Sequence, residues 1–326
     1  MKTLAFISSI GSVLAVICAG PVLAQPYPSR PITMVVPLAP GGPVDTLARI
    51  LAEPMRASLG QPVIVENVTG AGGTVGTGRV VRAAPDGYTF GIGFLGTLVL
   101  NGAIYALPYD LLRDLDPIAL VSSNPHLIVA RATLSAKDLR EFIAWLKLNP
   151  DKASAGTAGV GTTTHVAGLL FRQSAGVRFQ LVPYRGAAPA LQDVMAGQID
   201  LMVDVVSNSL PYLPGGKIKA YAVTANIRLA SAPDIPTVDE AGLPGFHIST
   251  WYALFGPKAM PKDVLAKLNA ATVSVLADPA VVRRLADLGL DIPPREQQTP
   301  EALATLQRAE IEKWWPIIKA ANIKPE

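Results

Sequence analysis

Three short stretches have the composition of anion cradles. Pro40-Gly41-Gly42-Pro43, Gly70-Ala71-Gly72-Gly73 and Gly159-Val160-Gly161-Thr162-Thr163-Thr164-His165 each follow a short apolar run and lead into a helical pattern. Glycine has no Cβ, so its N–H can approach a ligand closely, and the first N–H groups of a helix have no partner within it. A glycine turn feeding a helix start therefore suits an anion. The second stretch misses the dinucleotide spacing: Val75 stands where a third glycine is required after Gly70 and Gly72, and no acidic residue follows on a suitable strand. In the third, Thr162 and Thr163 can cap the helix or donate to a ligand. Thr97 and Asp204 each stand past an apolar run as further polar groups. Each turn also has a plainer reading, as a connection or a place of close helix packing.

Other chemistry is poorly supported. His126, His165 and His247 have no metal-ligand spacing among themselves or with a carboxylate cluster. There is no G-x-S-x-G elbow and no Walker lysine. Ser207 or Ser209 could be drawn into a triad with His165 and Asp204, but nothing in the local sequence supports it. The pattern favours binding over catalysis, with no metal and no cofactor.

The elements that must position these turns alternate between periods of two and 3.6. Residues 33–36 form a β-branched run that suits a buried strand. From Val44 the period is helical: Val44, Leu47, Ala48, Leu51, Met55 and Leu59 share one face, opposite Arg49, Glu53 and Arg56. Pro43 suits a first helical position and Asp45 puts a carboxylate in the first turn. Further strands are expected at 62–68, 88–93, 153–157, 179–184, 199–203, 217–224 and 251–255. Helices are expected at 139–148, 187–196, 262–276, 279–288 and 300–321, with Trp314 and Trp315 packing the last one down. Residues 233–245 are rich in Pro and Gly and read as a surface loop. Such alternation implies parallel sheets covered by helices on both faces, with ligands at the carboxyl ends of the strands. The apolar stretch 120–129, interrupted by Ser122-Ser123-Asn124-Pro125, reads as a crossing to a second domain, and 251–255 as the return.

The chain of 326 residues is 50% hydrophobic and 16% charged, too apolar to be disordered and long enough for two domains. The net charge of +3 is spread without a basic block, which argues against nucleic acid. Lys2, an apolar stretch over 4–17, Pro21 and Val22-Leu23-Ala24 make a secretory signal, with the cut expected after Ala24. Cys18, the one cysteine, lies inside it. Lipid attachment there is disfavoured by the bulky Ile17. The mature chain then has no thiol, carries a net +2, and has no later segment apolar and long enough to span a bilayer.

Several blocks occur in order along the chain. They are Tyr27-Pro28-Ser29-Arg30-Pro31-Ile32, the two first glycine turns with Glu66-Asn67-Val68-Thr69, Asp86-Gly87-Tyr88-Thr89, Val182-Pro183-Tyr184-Arg185-Gly186-Ala187-Ala188-Pro189-Ala190, Gly197-Gln198-Ile199-Asp200 and Trp251-Tyr252. Together they resemble the Bug family, the TctC-like periplasmic solute-binding proteins of tripartite tricarboxylate transporters. The resemblance implies an α/β Venus-flytrap fold of two domains with two crossings, divided as 25–124 plus 250–326 and 125–249. It implies a monomeric periplasmic receptor that holds a small organic carboxylate in the cleft and delivers it to membrane permease subunits. The positions matching the family's contacts are Leu38, Ala39, Pro40, Gly41, Gly42, Asp45, Gly72, Gly73 and Thr97 from one domain, and Thr157, Thr162, Thr163, His165 and Asp204 from the other. Gly161 joins them from the turn itself. Where the family often has a small hydroxyl residue followed by His, this chain has Gly96-Thr97-Leu98, which implies a less polar end to the cleft and an aromatic or longer carboxylate rather than citrate. The competing readings are a sensor co-receptor with the same cleft and a periplasmic enzyme on a doubly wound fold.

Overall fold

A computed structural model describes residues 27–150 and 152–325. The expected signal (1–24), its cleavage position and Cys18 lie outside the described residues.

The first lobe opens with β1 (Ile32–Val36), α1 (Pro43–Leu59), β2 (Val63–Asn67), α2 (Thr74–Val81) and β3 (Thr89–Phe94). A helical turn (Gly96–Leu100) then runs into α3 (Asn101–Ile104). A 17-residue strand, β4 (Leu115–Arg131), leads into the second lobe. That lobe holds α4 (Leu139–Leu148), β5 (Ser154–Thr157), α5 (Thr163–Ala175), β6 (Gln180–Pro183), α6 (Ala187–Met195), β7 (Leu201–Val205), α7 (Val206–Ser209) and β8 (Ile218–Val223). The chain returns along β9 (Ser249–Pro257) and closes with α8 (Lys262–Leu276), α9 (Pro279–Asp287) and α10 (Pro300–Ala320). No single helix among the described residues is long and apolar enough to cross a membrane.

The strands follow the order β2-β1-β3-β9-β4-β7-β5-β6, with β8 also on β4. The expectation of parallel sheets holds only in part. β1 is parallel to β2 and β3, and β5 to β6 and β7, whereas β9 is antiparallel to β3 and β4, and β4 to β7 and β8. The reason is topological: β4 and β9 are crossings that leave and return in opposite directions, so they pair antiparallel and join the two sheets. β4 also runs through Ser122–Pro125 without a break, pairing with β9 up to Pro125 and with β7 and β8 from there on. Asp291 takes both backbone groups of Ser123 (2.8 and 3.0 Å) along the open edge of the crossing.

Helix α1 starts as its sequence requires, with Pro43 in the first turn and Val44, Leu47, Leu51, Met55 and Leu59 buried. This face packs with Ile32, Met34 and Phe90 of the sheet and Leu268 of α8 in one apolar cluster. A second cluster joins the lobes, from Leu98 and Trp314 to Phe142, Phe171 and Trp251. The last helix is fastened to the first lobe by Gln307, which donates to the Leu98 carbonyl at 2.9 Å, and by Trp315, which donates to that of Val99 at 2.9 Å. Its end does not stay there: Ile317, Ala321 and Ile323 line a groove with Val166, Leu169, Leu170 and Val177 of the second lobe.

Candidate functional site

The loop after β1 is built around Asp45. This buried carboxylate accepts from the Gly41 N–H (2.9 Å), from Arg49 Nε and Nη2 (both 3.0 Å) and from Asn67 Nδ2 (3.0 Å). Burial pushes its pKa up, but the hydrogen bonds from Arg49, Gly41 and Asn67 outweigh it and hold the group below its ordinary value. Asn67 Nδ2 also donates to the Leu38 carbonyl at 3.0 Å. Asp45 and the Gly41 N–H are therefore spent on each other, and Asp45 shapes the loop. Gly42, extended at φ −83°, is the N-cap of α1 and has no side chain to cap with. The N–H groups of Val44 and Asp45 have no acceptor within the helix.

The turn after β5 is built by hydroxyls. Thr157 Oγ1 accepts from the Gly159 N–H (3.3 Å) and Thr164 Oγ1 from the Ala158 N–H (2.8 Å). Thr162 occupies the N-cap of α5, yet its hydroxyl donates back to the Gly159 carbonyl at 2.6 Å and caps nothing. Capping, one of the two uses the sequence leaves open for Thr162, is thus absent, because the turn takes the hydroxyl. Thr163 has no hydrogen-bonded partner for its hydroxyl among the described residues, and the N–H groups of Thr163, Thr164 and His165 remain without helical acceptors. His165 is buried with Nδ1 unpartnered, and burial pushes its pKa down to about 4, so it is neutral at pH 7.

The lobes touch across these turns, backbone against backbone. Gly72 has φ +59°, and a Cβ there would lie 2.2 Å from the Val160 carbonyl oxygen. Gly161 has φ +81°, and its Cβ would lie 2.2 Å from Asn101 Oδ1 and 2.8 Å from the Tyr105 ring. Tyr105 donates its hydroxyl to the Val160 carbonyl at 2.9 Å. Asn101 Nδ2 donates to the Gly72 carbonyl at 3.0 Å, while its Oδ1 is buried without a partner. The Ala39 N–H donates to the Arg185 carbonyl at 3.3 Å. Between these contacts lies a pocket of about 220 Å³ lined by Leu38, the turn 70–73, Tyr105, Ala158, Gly159, Val160, Tyr184 and Arg185.

The structure thus brings Leu38, Ala39, Gly72, Gly73 and Gly161 to the seam between the lobes. Pro40 and Gly42 belong to the same first loop, and a Cβ at Gly42 would come 4.0 Å from the Ala188 nitrogen of the other lobe. Thr97 is fully buried, its Oγ1 bonded to both backbone groups of Phe94 (3.1 and 3.2 Å) and its methyl packed on Gly73. Leu98 overturns the inference of a less polar cleft end. It packs on Gly93 and belongs to the apolar cluster that also holds Phe255, because the turn Gly96–Leu100 swings it into the core and presents Asn101 instead. Asp204 is fully buried beside the crossing strands and accepts from Asn208 (2.7 Å) and Ser209 (2.6 Å), with Oδ1 unpartnered. Burial pushes its pKa up to about 7, against the effect of these bonds. Next to it, Asn124 donates to Ser207 (2.6 Å) and Tyr252 (3.3 Å). Ser209 reaches Asp204 directly, without an imidazole between, so no triad is assembled. No cluster of His, Cys, Asp and Glu among the described residues could hold a metal.

Asn101, Tyr105, Tyr184, Arg185 and Gly186 also stand at this seam, and no local sequence signature marks them as contact residues. Tyr184, Arg185 and Gly186 lie in a block that carried the family resemblance, which was the available signal. Asn101 and Tyr105 follow an irregular helical turn with no periodic signature.

Residues 47–323 match the model of the tripartite tricarboxylate transporter family receptor. Among solved structures, the periplasmic binding protein BugD is 39% identical, with a TM-score of 0.88 over 92% of this chain and 100% of its own. MatC from Rhodopseudomonas palustris with bound malate is 42% identical, with a TM-score of 0.86 over 90% of this chain and 100% of its own. An R. palustris protein with adipate is 30% identical, with a TM-score of 0.87 over 92% of this chain and 100% of its own. The two-lobed fold with paired crossings is that of the periplasmic binding proteins, and the chain belongs to the tripartite tricarboxylate transporter receptor family, the Bug proteins.

Proposed function

We propose that this chain is an extracytoplasmic receptor that binds a small organic carboxylate between its lobes and hands it to the permease of a tripartite transporter, without catalysing a reaction. The lobes would divide at 124/125 and 249/250, and the protein would act as a monomer exported through a signal cleaved after Ala24. The observation that carries this reading is the pair of helix starts at α1 and α5, both without a side-chain cap, set in loops that reach the seam. Free N–H groups at a helix start favour a carboxylate by hydrogen bonding and by the macrodipole. Leu38, Ala39, Pro40, Gly42, Gly72, Gly73, Gly161, Thr163 and His165 would surround it, with Gly41, Asp45, Thr97, Thr157 and Thr162 holding the loops. Asp204 would lie at the inner end. The malate and adipate bound to relatives support the ligand class.

A thermal-shift screen of short mono- and dicarboxylates tests the proposal. At 100 times its dissociation constant a ligand should stabilise the fold by about 2.7 kcal/mol, and mass spectrometry should recover it unchanged. A screen without a stabilising carboxylate, or a ligand returned as product, sinks the receptor reading.

A further inference from the structure

Among the residues that line the pocket at the seam one is charged, Arg185. The two phenols beside it are already engaged, Tyr105 with the Val160 carbonyl and Tyr184 with Asp193 Oδ2. No carboxylate among the described residues lies within ion-pair distance of Arg185, in contrast to Arg49, Arg131 and Arg228, which are paired with Asp45, Asp200 and Glu240. Its backbone is fixed at the contact between lobes, since its carbonyl accepts from the Ala39 N–H, and a Cβ on the next residue, Gly186, would meet the Ala39 side chain at 3.3 Å. An arginine without a carboxylate partner thereby starts from a fixed backbone position at the wall of the pocket.

A guanidinium fork matches a carboxylate with two parallel hydrogen bonds. The uncapped helix starts can take one carboxylate without any side-chain cation, so the cation at the pocket wall is available for a second. We propose that Arg185 receives the second carboxylate of a dicarboxylate and sets the preference of this site for dicarboxylates over monocarboxylates. The inference rests on the receptor reading above. Because the Arg185 side chain reaches solvent, its attraction is screened, and the expected effect is about tenfold or less.

The test is calorimetric titration of the parent, Arg185→Gln and Arg185→Lys with two matched pairs, succinate against butyrate and adipate against hexanoate. The parent should bind a dicarboxylate more tightly than its matched monocarboxylate. Arg185→Gln should lose about three- to tenfold for the dicarboxylate alone, and Arg185→Lys should retain part of the difference, with unchanged circular dichroism. Equal loss for both members of a pair would mean that Arg185 serves only the contact between lobes. An unchanged preference in Arg185→Gln, or a parent that binds both members alike, also overturns the inference while leaving the receptor reading intact. A parent that binds none of the four, nor any carboxylate in the thermal screen, overturns both.

Discussion

At α4, α9 and α10 a side chain closes the helix start. Asp138, Asp278 and Thr299 accept from the N–H groups of Glu141, Ala280 and Ala302 at 2.9, 2.7 and 3.1 Å. At α1, α5 and α6, whose starts lie along the seam between the lobes, Gly42, Thr162 and Gly186 provide no such bond. A good cap contributes about 1 kcal/mol. Side-chain caps thus occur at three helix starts away from the seam, though not at α8, which follows Pro261, and at none of the three where the lobes meet. The loops at the seam are ordered by other means, Asp45 on one side and the threonine hydroxyls on the other, and both leave the helix-start N–H groups unoccupied.

The comparison breaks most sharply if a cap is built where none exists. Gly42→Asp finds an extended backbone and no atom nearer its Cβ than 3.6 Å. It should leave stability unchanged or raised by a few tenths of a kcal/mol, because its carboxylate takes the free N–H groups of α1. The same carboxylate displaces the ligand's. Losing two hydrogen bonds to a charged group, at about 1.5–3 kcal/mol each, lowers affinity roughly 10²- to 10⁴-fold. Calorimetry that returned the parent's affinity in a folded Gly42→Asp protein would show that the α1 start is not a carboxylate site.

A smaller effect concerns the buried acid beside the crossings. Between pH 5 and 7 the folded protein keeps a proton on Asp204 that the unfolded chain, with an ordinary carboxyl pKa, has released. Its contribution to stability is therefore greatest at low pH and falls as pH rises, by at most about 1.4 kcal/mol per unit and, with the slope shrinking as the folded group begins to titrate near pH 7, by about 2 kcal/mol over the two units. Asp204→Asn removes that slope, so its stability relative to the parent should rise by about 2 kcal/mol from pH 5 to pH 7. His126 and His165, both pushed down to about 4 by burial, work in the opposite direction in both proteins and cancel in the difference. Urea unfolding of the pair at the two pH values measures it, and a constant difference would mean that Asp204 is already ionised at pH 5. The smallest effect should come from Asp138→Ala at α4. It should cost about 1 kcal/mol in the same unfolding assay and leave carboxylate affinity untouched; a loss of affinity there would erase the distinction between the two sets of helix starts.

What the sequence reveals of this arrangement depends on how local the physics is. The turn and helix at 40–59 are legible because Pro43, the glycines and the 3.6-residue apolar stripe act within a few residues. The direction of β4 and β9 is not, since a strand's own residues do not say which neighbour it will pair with across a crossing. Gly41 and Asp45 are recognisable as loop residues, yet only the folded loop shows that each satisfies the other. The hydroxyl of Thr162 could cap a helix or brace a turn, and the choice is made by the Gly159 carbonyl, which the backbone brings within 2.6 Å. Leu98, expected at the cleft, and Asn101, to which the sequence assigns no role, are placed by a turn of irregular helix, invisible to periodicity, that rotates the first into the core and the second toward Gly161. Arg185 is legible in sequence only as part of a block, and its place at the pocket wall without an acidic neighbour is set by the fold.

The course of α10 carries a mechanical consequence. Gln307 and Trp315 bolt the helix to the first lobe, while its last turn and Ile323 overhang α5 of the second. If the lobes rock about β4 and β9, the helix is a lever rather than a hinge: it travels with one lobe and must slide or lift across the other. The apolar side chains under the overhang then act as friction, setting how fast the lobes part rather than how tightly the pocket grips. With no cysteine among the described residues, a single thiol introduced at the end of this lever would carry the only label, and its signal would record opening from outside the pocket.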